Sequence, residues 1–400
     1  MKRSAATDNI STTSALEADL DQFLGERKAA EHPDEEKREL RQANYRLARQ
    51  LQRLREDRDE VVRAVIESVK TAAMALEIPS VPSPAIAKSR GNHREEQAII
   101  CVGDLQLAKV TPTYNTSVCE RRMQTYAEAI RSIISIQRAD HPVKVARVYM
   151  LGDIIEGELI FPHQPYQIDA SLFTQLMVDG PRILINFLRT LLTFVDRVHC
   201  VCIPGNHGNI GGRGWKAYSP ATNADRILYA HIQAALANEP RISWAIPYQE
   251  HEAAWYAVDY PWAPDTRGGN LLFHGHQIPN ASSASVATVA RRIWGWSSGG
   301  VPEPFDNVFY GHWHTPKYSQ ANRIKIICNG STESTNTYAQ ERLSAIGQPV
   351  QFLGFTHPRR GITAHYWCEL EREPVVSPQA YNLPAPQPLP PVRKARTKRG

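Results

Sequence analysis

"FYGHWHTP", residues 309–316, places two histidines one residue apart behind a glycine, at the end of a short apolar run. In an extended segment successive side chains alternate, so this spacing sends His312 and His314 to the same side. Two adjacent imidazoles withdrawn from water are costly unless something electron-poor lies between them, and a metal ion meets that need. The plain alternative is a surface loop with two incidental histidines, because a motif this short also occurs by chance. Other ligands are needed to decide.

They stand at the ends of other strand-like runs. "AIICVG" (98–103) leads to Asp104 and Gln106, and "VARVYMLG" (145–152) leads to Asp153 and Glu156. "RVHCVCIPG" (197–205) leads to Asn206 and His207, and "NLLFHG" (270–275) carries His274 and is followed by His276. Helical stretches near 117–138, 168–194 and 221–238 follow the first three runs, an alternation that predicts a layered α/β core. Later strand-like pieces ("RISWAIP", "AWYAVDY", "RIKIICNG", "GITAHYWCEL") come with fewer helices. Sites in open α/β sheets gather at the carboxyl ends of strands, so all five clusters are expected to converge. A glycine in or before each cluster suits tight turns and close approach of backbone to a ligand.

The motif order, an aspartate after the first strand, then G-D, G-N-H, a histidine after a strand and G-H-x-H, resembles the calcineurin-like metallophosphoesterases. Within them it is most similar to the SbcD-type DNA exonucleases and their bacteriophage-encoded relatives, over about residues 98–370. The resemblance implies an α/β fold of the α+β four-layer kind, a β-sandwich of two mixed sheets flanked by helices. It also implies two divalent cations, manganese foremost, with magnesium, iron or zinc as other occupants. Such a pair, about 3.5–4 Å apart, clamps a phosphate and activates a water. By position in the motifs Asp153 bridges the ions, and it and His207 are the catalytic residues. Asp104, Gln106 and His314 complete the first site; Asn206, His274 and His312 complete the second. His207 resembles the family's catalytic histidine, which contacts the scissile phosphate and protonates the leaving oxygen.

Two positions depart from the family pattern. Gln106 stands where the family usually has histidine; its neutral amide oxygen either tilts the first site towards manganese or magnesium, or leaves it partly empty. Glu156 stands where SbcD-type nucleases often carry a histidine, and it either binds water at the metal pair or caps the following segment. Arg213, in the glycine-rich "GNIGGRGWK", and Arg291 and Arg292, beside tryptophans in "VARRIWGWSSGG", are further candidates for contact with substrate. For the two arginines an ordinary amphipathic helix with a packed tryptophan is the competing reading.

The rest of the chain bounds the partners. Its 400 residues carry a net charge of +5, and the last eight, "RKARTKRG", hold five basic residues and no acid. Residues 1–33 read as disordered. Residues 34–76 read as one long helix with an a/d seam (Leu40, Leu47, Leu51, Leu54, Val61, Val65), either a short coiled coil for self-association or a helix docked on the body. Residues 77–97 read as a linker, 98–372 as the catalytic domain and 373–400 as a proline-rich basic tail. No P-loop occurs, so an ATPase partner of the SbcD kind would be a separate chain. No run of 18 uncharged apolar residues and no signal-peptide core is present, so no membrane contact is expected. The expected location is the cytoplasm, or the host cytoplasm for a phage-encoded protein. Six scattered cysteines are expected as buried free thiols. Together these features point to a two-metal phosphodiester hydrolase acting on DNA as an exo- or endonuclease. A phosphatase or small-molecule phosphodiesterase, or a nucleic-acid-binding scaffold with a decayed site, are the alternatives.

Overall fold

The computed structural model describes residues 94–371 except 162, 211–221, 248–254, 263–267, 279–285 and 335–347, together with 78–85, 67–76 and single helical residues or short runs between 38 and 64. Arg213, the seam leucines and valines of 34–76, residues 1–33 and the tail from 372 therefore lie outside the described residues. The chain divides into two compact units, 1–61 and 62–400. In the first unit the described residues, 38, 41–46 and 49, are helical and exposed.

The second unit is built on two mixed sheets. In the first, β1 (Glu96–Val102), β2 (Val143–Met150), β3 (Arg197–Cys202) and β4 (Ile242–Ala245) run parallel, in that spatial order. Two late strands, β10 (Val350–His357) and β11 (Gly361–Glu369), add antiparallel on the β1 side. The second sheet has the order β5 (Tyr256–Asp259), β6 (Asn270–Phe273), β7 (Asn307–Tyr310), β9 (Ile324–Cys328) and β8 (Lys317–Ala321). Its β6, β7 and β9 are parallel, and its edge strands are antiparallel.

Period-two alternation divides the first sheet between two cores. Ala98, Ile100, Val102, Val148 and Met150 join one apolar cluster with helices α1 (Thr116–Gln137), α2 (Gly180–Leu192) and α3 (Ala224–Ala235). Ile99, Cys101, Tyr149 and Leu151 join a second cluster with Leu272, Phe273, Val308, Phe309 and Ile326 of the other sheet. Helix α4 (Val286–Gly295) contributes Val289 and Ile293 to that second cluster. The result is a sandwich of two mixed sheets flanked by helices. The sheets are also tied by buried polar bonds: Tyr149 donates to Asp259 (2.7 Å) and accepts from Asn270 (2.6 Å).

Helix starts follow from their caps. Asn115 accepts from the Val118 amide ahead of α1, whose buried Cys119, Met123, Tyr126, Ile130 and Ile134 recur at helical spacing. Asn223 caps α3 by accepting from the Asp225 amide. All six cysteines are free and buried.

The segment read as a linker is partly structured. β1 already begins at Glu96, and Ile78 and Val81 pack against the helix-side core. The Val81 amide donates to Glu239 (3.1 Å), and its carbonyl accepts from Arg241 (2.6 Å). Val69 and Ala73, four residues apart, are buried at the end of the preceding helix. Apolar Ile78 and Val81 gain more from the body than proline spacing in this stretch suggested. No helix among the described residues is long and apolar enough to cross a membrane.

Candidate metal centre

The backbone at the strand ends is the first sign of a site. Among the described residues, eight that are not glycine have positive φ, and five of these are Asp104, Gln106, Asp153, His312 and His314. Side chains other than glycine rarely adopt this left-handed region, and each instance costs energy that the surrounding structure must supply. Such strain clusters where side chains are forced to converge on a ligand. It also corrects the reasoning about "FYGHWHTP": β7 ends at Tyr310, and His312 (φ 69°) and His314 (φ 52°) lie in the turn beyond it. Left-handed turns, not strand alternation, aim the two rings. Packing is close enough that a Cβ on Gly205 would overlap Asp153 Oδ1, and one on Gly311 would overlap Asp104 Oδ2.

Asp153, fully buried at the end of β2, is the centre of one group. Its Oδ2 lies 2.9 Å from His274 Nε2, and its Oδ1 accepts from the His207 amide (2.7 Å). His274 donates Nδ1–H to the Leu151 carbonyl (2.7 Å), which turns Nε2 towards Asp153 and towards Asn206 Oδ1 (3.1 Å). The His312 ring is 5.0 Å from that of His274. Ligand atoms of Asp153, His274 and His312 all lie within 4.8 Å of one another. Burial, and after it the neighbouring His274, lower the pKa of His312 to about 2, so its ring is a neutral lone-pair donor. Burial would also lower His274, but the Asp153 carboxylate outweighs it and raises that group to about 9. For Asp153 burial acts upward, and His274 and His207 hold its pKa far below the usual carboxylate range. Carboxylate, amide oxygen and two imidazoles thus face one point and could hold a cation there in place of the proton on His274. The donor set fits a divalent first-row metal.

Asp104, at the end of β1, accepts the His312 amide on both oxygens (3.0 and 2.9 Å) and lies 3.3 Å from His314 Nε2. The other face of His314 is held by Glu333, whose Oε1 is 2.5 Å from Nδ1. Burial lowers the His314 pKa, but Glu333 and Asp104 raise it to about 10. A carboxylate behind a ligating histidine orients its ring and raises its basicity. Glu333 was not a candidate from sequence, because "NGSTES" carries no ligand spacing.

Gln106 does not present its oxygen to this group. Oε1 accepts from the Lys109 ammonium at 2.5 Å, and Nε2 lies 3.2 Å from His314 Nε2. The oxygen expected to ligate is thus turned to Lys109, and the amide nitrogen to His314. Glu156 lies behind His207. It is fully buried, and besides accepting from Gln164 in the following segment (3.1 Å) it is turned towards His207. Its Oε2 lies 3.2 Å from His207 Nδ1, and its carbonyl accepts from the same nitrogen at 3.0 Å. With Nδ1 so engaged, His207 Nε2 faces the centre, 4.0 Å from Asp153 Oδ2. Burial lowers the His207 pKa, while Asp153 and Glu156 raise it to about 9.

Sequence reading also missed Asp225, buried in the first turn of α3. Its carboxylate accepts the amides of Asp153 (2.9 Å), Ile154 (3.1 Å), Ile155 (3.3 Å) and Gly205 (2.9 Å), fastening the β2 and β3 loops together. Burial, and then the charge of Asp153, raise its pKa to about 6. Asp225→Ala leaves four buried donors without their acceptor and is expected to cost about 3–5 kcal/mol, the range for breaking a buried charged network. Urea unfolding measures it, and a loss below about 1 kcal/mol would mean the loops hold themselves.

Arg291 and Arg292 are exposed on α4. The Arg292 guanidinium lies 5.9 Å over the Trp296 ring and donates to the Gln277 carbonyl (3.3 Å), three residues beyond His274. Trp296 packs on Phe273 and Trp255 (4.8 and 5.1 Å), as an amphipathic helix requires, whereas Trp294 is 65% exposed. The His276 ring stands beside His274 and His312, at 5.5 and 6.0 Å.

No protein-family model and no curated protein matches this chain. Among solved structures it is similar to wild-type Vps29 complexed with zinc from Entamoeba histolytica, at 12% identity and a TM-score of 0.30, over 64% of this chain and 84% of that one. A predicted phosphoesterase from Streptococcus pneumoniae is similar at 11% identity and a TM-score of 0.28, over 68% and 98%. An archaeal phosphodiesterase is similar at 12% identity and a TM-score of 0.30, over 68% and 99%. Likeness this distant decides nothing about chemistry, which rests on the carboxylate, amide and imidazole groups gathered at the strand ends.

Proposed function

We propose that this chain is a metal-dependent phosphodiesterase of the calcineurin-like kind, with DNA as its substrate. The observation that carries the reading is the convergence of Asp104, Asp153, Asn206, His207, His274, His312 and His314 from the ends of five strands in two sheets. Divalent manganese suits the mixed oxygen and imidazole donors, held by Asp153, Asn206, His274 and His312. A cation so held supplies Lewis-acid charge to a phosphoryl oxygen and lowers the pKa of bound water. His207 holds a proton on Nε2, positioned by Glu156, and delivers it to the leaving oxygen. For DNA, support comes from the basic "RKARTKRG" and from α4, which sets Arg291, Arg292 and Trp294 in solvent near the His274 loop. Cations meet backbone phosphate, and an exposed indole offers a stacking face. A separate ATPase subunit and self-association through 34–76 belong to the same proposal.

The test is manganese-dependent cleavage of end-labelled DNA, run beside bis-p-nitrophenyl phosphate and p-nitrophenyl phosphate. Cleavage of DNA and of the diester, with the monoester slow, is expected. Diester cleavage with intact DNA would favour a small-molecule phosphodiesterase, and a dominant monoester rate would favour a phosphatase.

A further inference from the structure

Lys109 and Glu333 form a buried pair beside the metal centre that the proposed chemistry does not use. The Lys109 side chain is 12% exposed and that of Glu333 is 4% exposed, and the two are in direct salt-bridge contact. The same ammonium donates to Gln106 Oε1 at 2.5 Å, and Glu333 holds His314 Nδ1.

An ammonium has donors only, so the Gln106 atom that meets it is the oxygen, and the amide nitrogen must face the opposite way. That nitrogen faces His314 Nε2, on the Asp104 side. An amide NH2 offers a cation no lone pair. The first position therefore retains Asp104 and His314, whereas the second gathers Asp153, Asn206, His274 and His312. Because the ammonium is neutralised by Glu333, its part is to fix the Gln106 amide through that hydrogen bond and not to repel a cation by net charge.

We propose that the centre takes one divalent ion tightly, at Asp153, Asn206, His274 and His312, and that the Lys109–Gln106–Glu333 cluster keeps a second ion from the first position. This rests on the metal-centre reading above. Lys109 is then an internal cation, a positioning residue that fixes the Gln106 amide with its donors towards His314. Removing its ammonium frees Gln106 Oε1 to turn towards His314.

The test is manganese stoichiometry by calorimetry, together with the electron paramagnetic resonance of bound Mn(II), on the full chain. The native protein should bind one ion tightly per chain and give the six-line signal of an isolated ion. Lys109→Met should bind two, with the broadened signal of a coupled pair. Gln106→His, which replaces the amide with an imidazole and leaves the Lys109–Glu333 pair intact, should also gain a second tight ion if Lys109→Met does not fold. Two tight ions and a coupled signal in the native protein would overturn the inference and leave the metal-centre reading standing. So would a stoichiometry of one in both folded variants. A native chain that binds no manganese would overturn both.

Discussion

Asp153→Asn is expected to reduce manganese-dependent diester hydrolysis by about 10³-fold or more and to strip bound metal from the chain. The substitution conserves shape, so its effect isolates charge. The retained Oδ1 still accepts the His207 amide, now 2.7 Å from Asp153 Oδ1, and Asp225 still holds the residue 153 amide. What changes is the atom facing His274 Nε2. A carboxylate oxygen becomes an NH2 whose hydrogens point where the cation must sit, the same inversion that Gln106 shows beside His314. A bound cation contributes several kcal/mol of transition-state stabilisation. At about 1.4 kcal/mol per tenfold in rate, its loss gives that factor of about 10³. Atomic emission of the purified variant, beside its thermal melt, separates metal loss from unfolding. A folded variant keeping more than a few per cent of activity would remove Asp153 from the centre.

The features most legible in the sequence are those that local patterning reports. Runs such as "AIICVG" and "RVHCVCIPG" became β1 and β3, because apolar residues bounded by glycine or proline read as buried strands whatever their partners. Strand β10, "VQFLGFTH", escaped notice although every residue in it is buried. Covered on both faces, it shows no alternation, and its place between β1 and β11 is a long-range pairing that no local pattern encodes. Edge strand β8, "KYSQA", is half exposed and largely polar, so it gives no apolar signal at all.

The candidate site divides in the same way. Asp104, Asp153, Asn206, His274, His312 and His314 were found because motif order placed them at strand ends. Their supports, Lys109, Asp225 and Glu333, each come from a position without motif, and only the closed fold brings them in. Gln106 shows the limit most clearly. Residue type allowed an oxygen ligand, but the orientation of its amide depends on Lys109, one turn further along the chain.

His207→Ala should separate chemistry from metal binding. The ring lies 4.0 Å from Asp153 through Nε2, and Glu156 engages Nδ1, so it supplies a proton and is not needed to hold a cation. Turnover is expected to fall by 10²–10⁴-fold, as for a general acid–base group, with manganese content unchanged. Collapse of the metal content would make His207 a ligand. The pH profile gives a second, signed test. Asp153 and Glu156 raise the His207 pKa to about 9 against its burial, so the group is protonated at pH 7 and loses its proton as pH rises. Activity that needs the proton must fall along that alkaline limb, and the limb should be absent from whatever rate His207→Ala retains. When Asp153 shares its charge with a bound cation the limb sits lower, and Glu156 becomes the larger cause holding it up. Glu156→Gln keeps a side chain of the same size beside Nδ1 but removes that charge, so it should move the limb to lower pH while manganese still binds. A limb unmoved by Glu156→Gln would mean that the buried carboxylate orients His207 without setting its proton affinity, and the alkaline limb would then belong to another group.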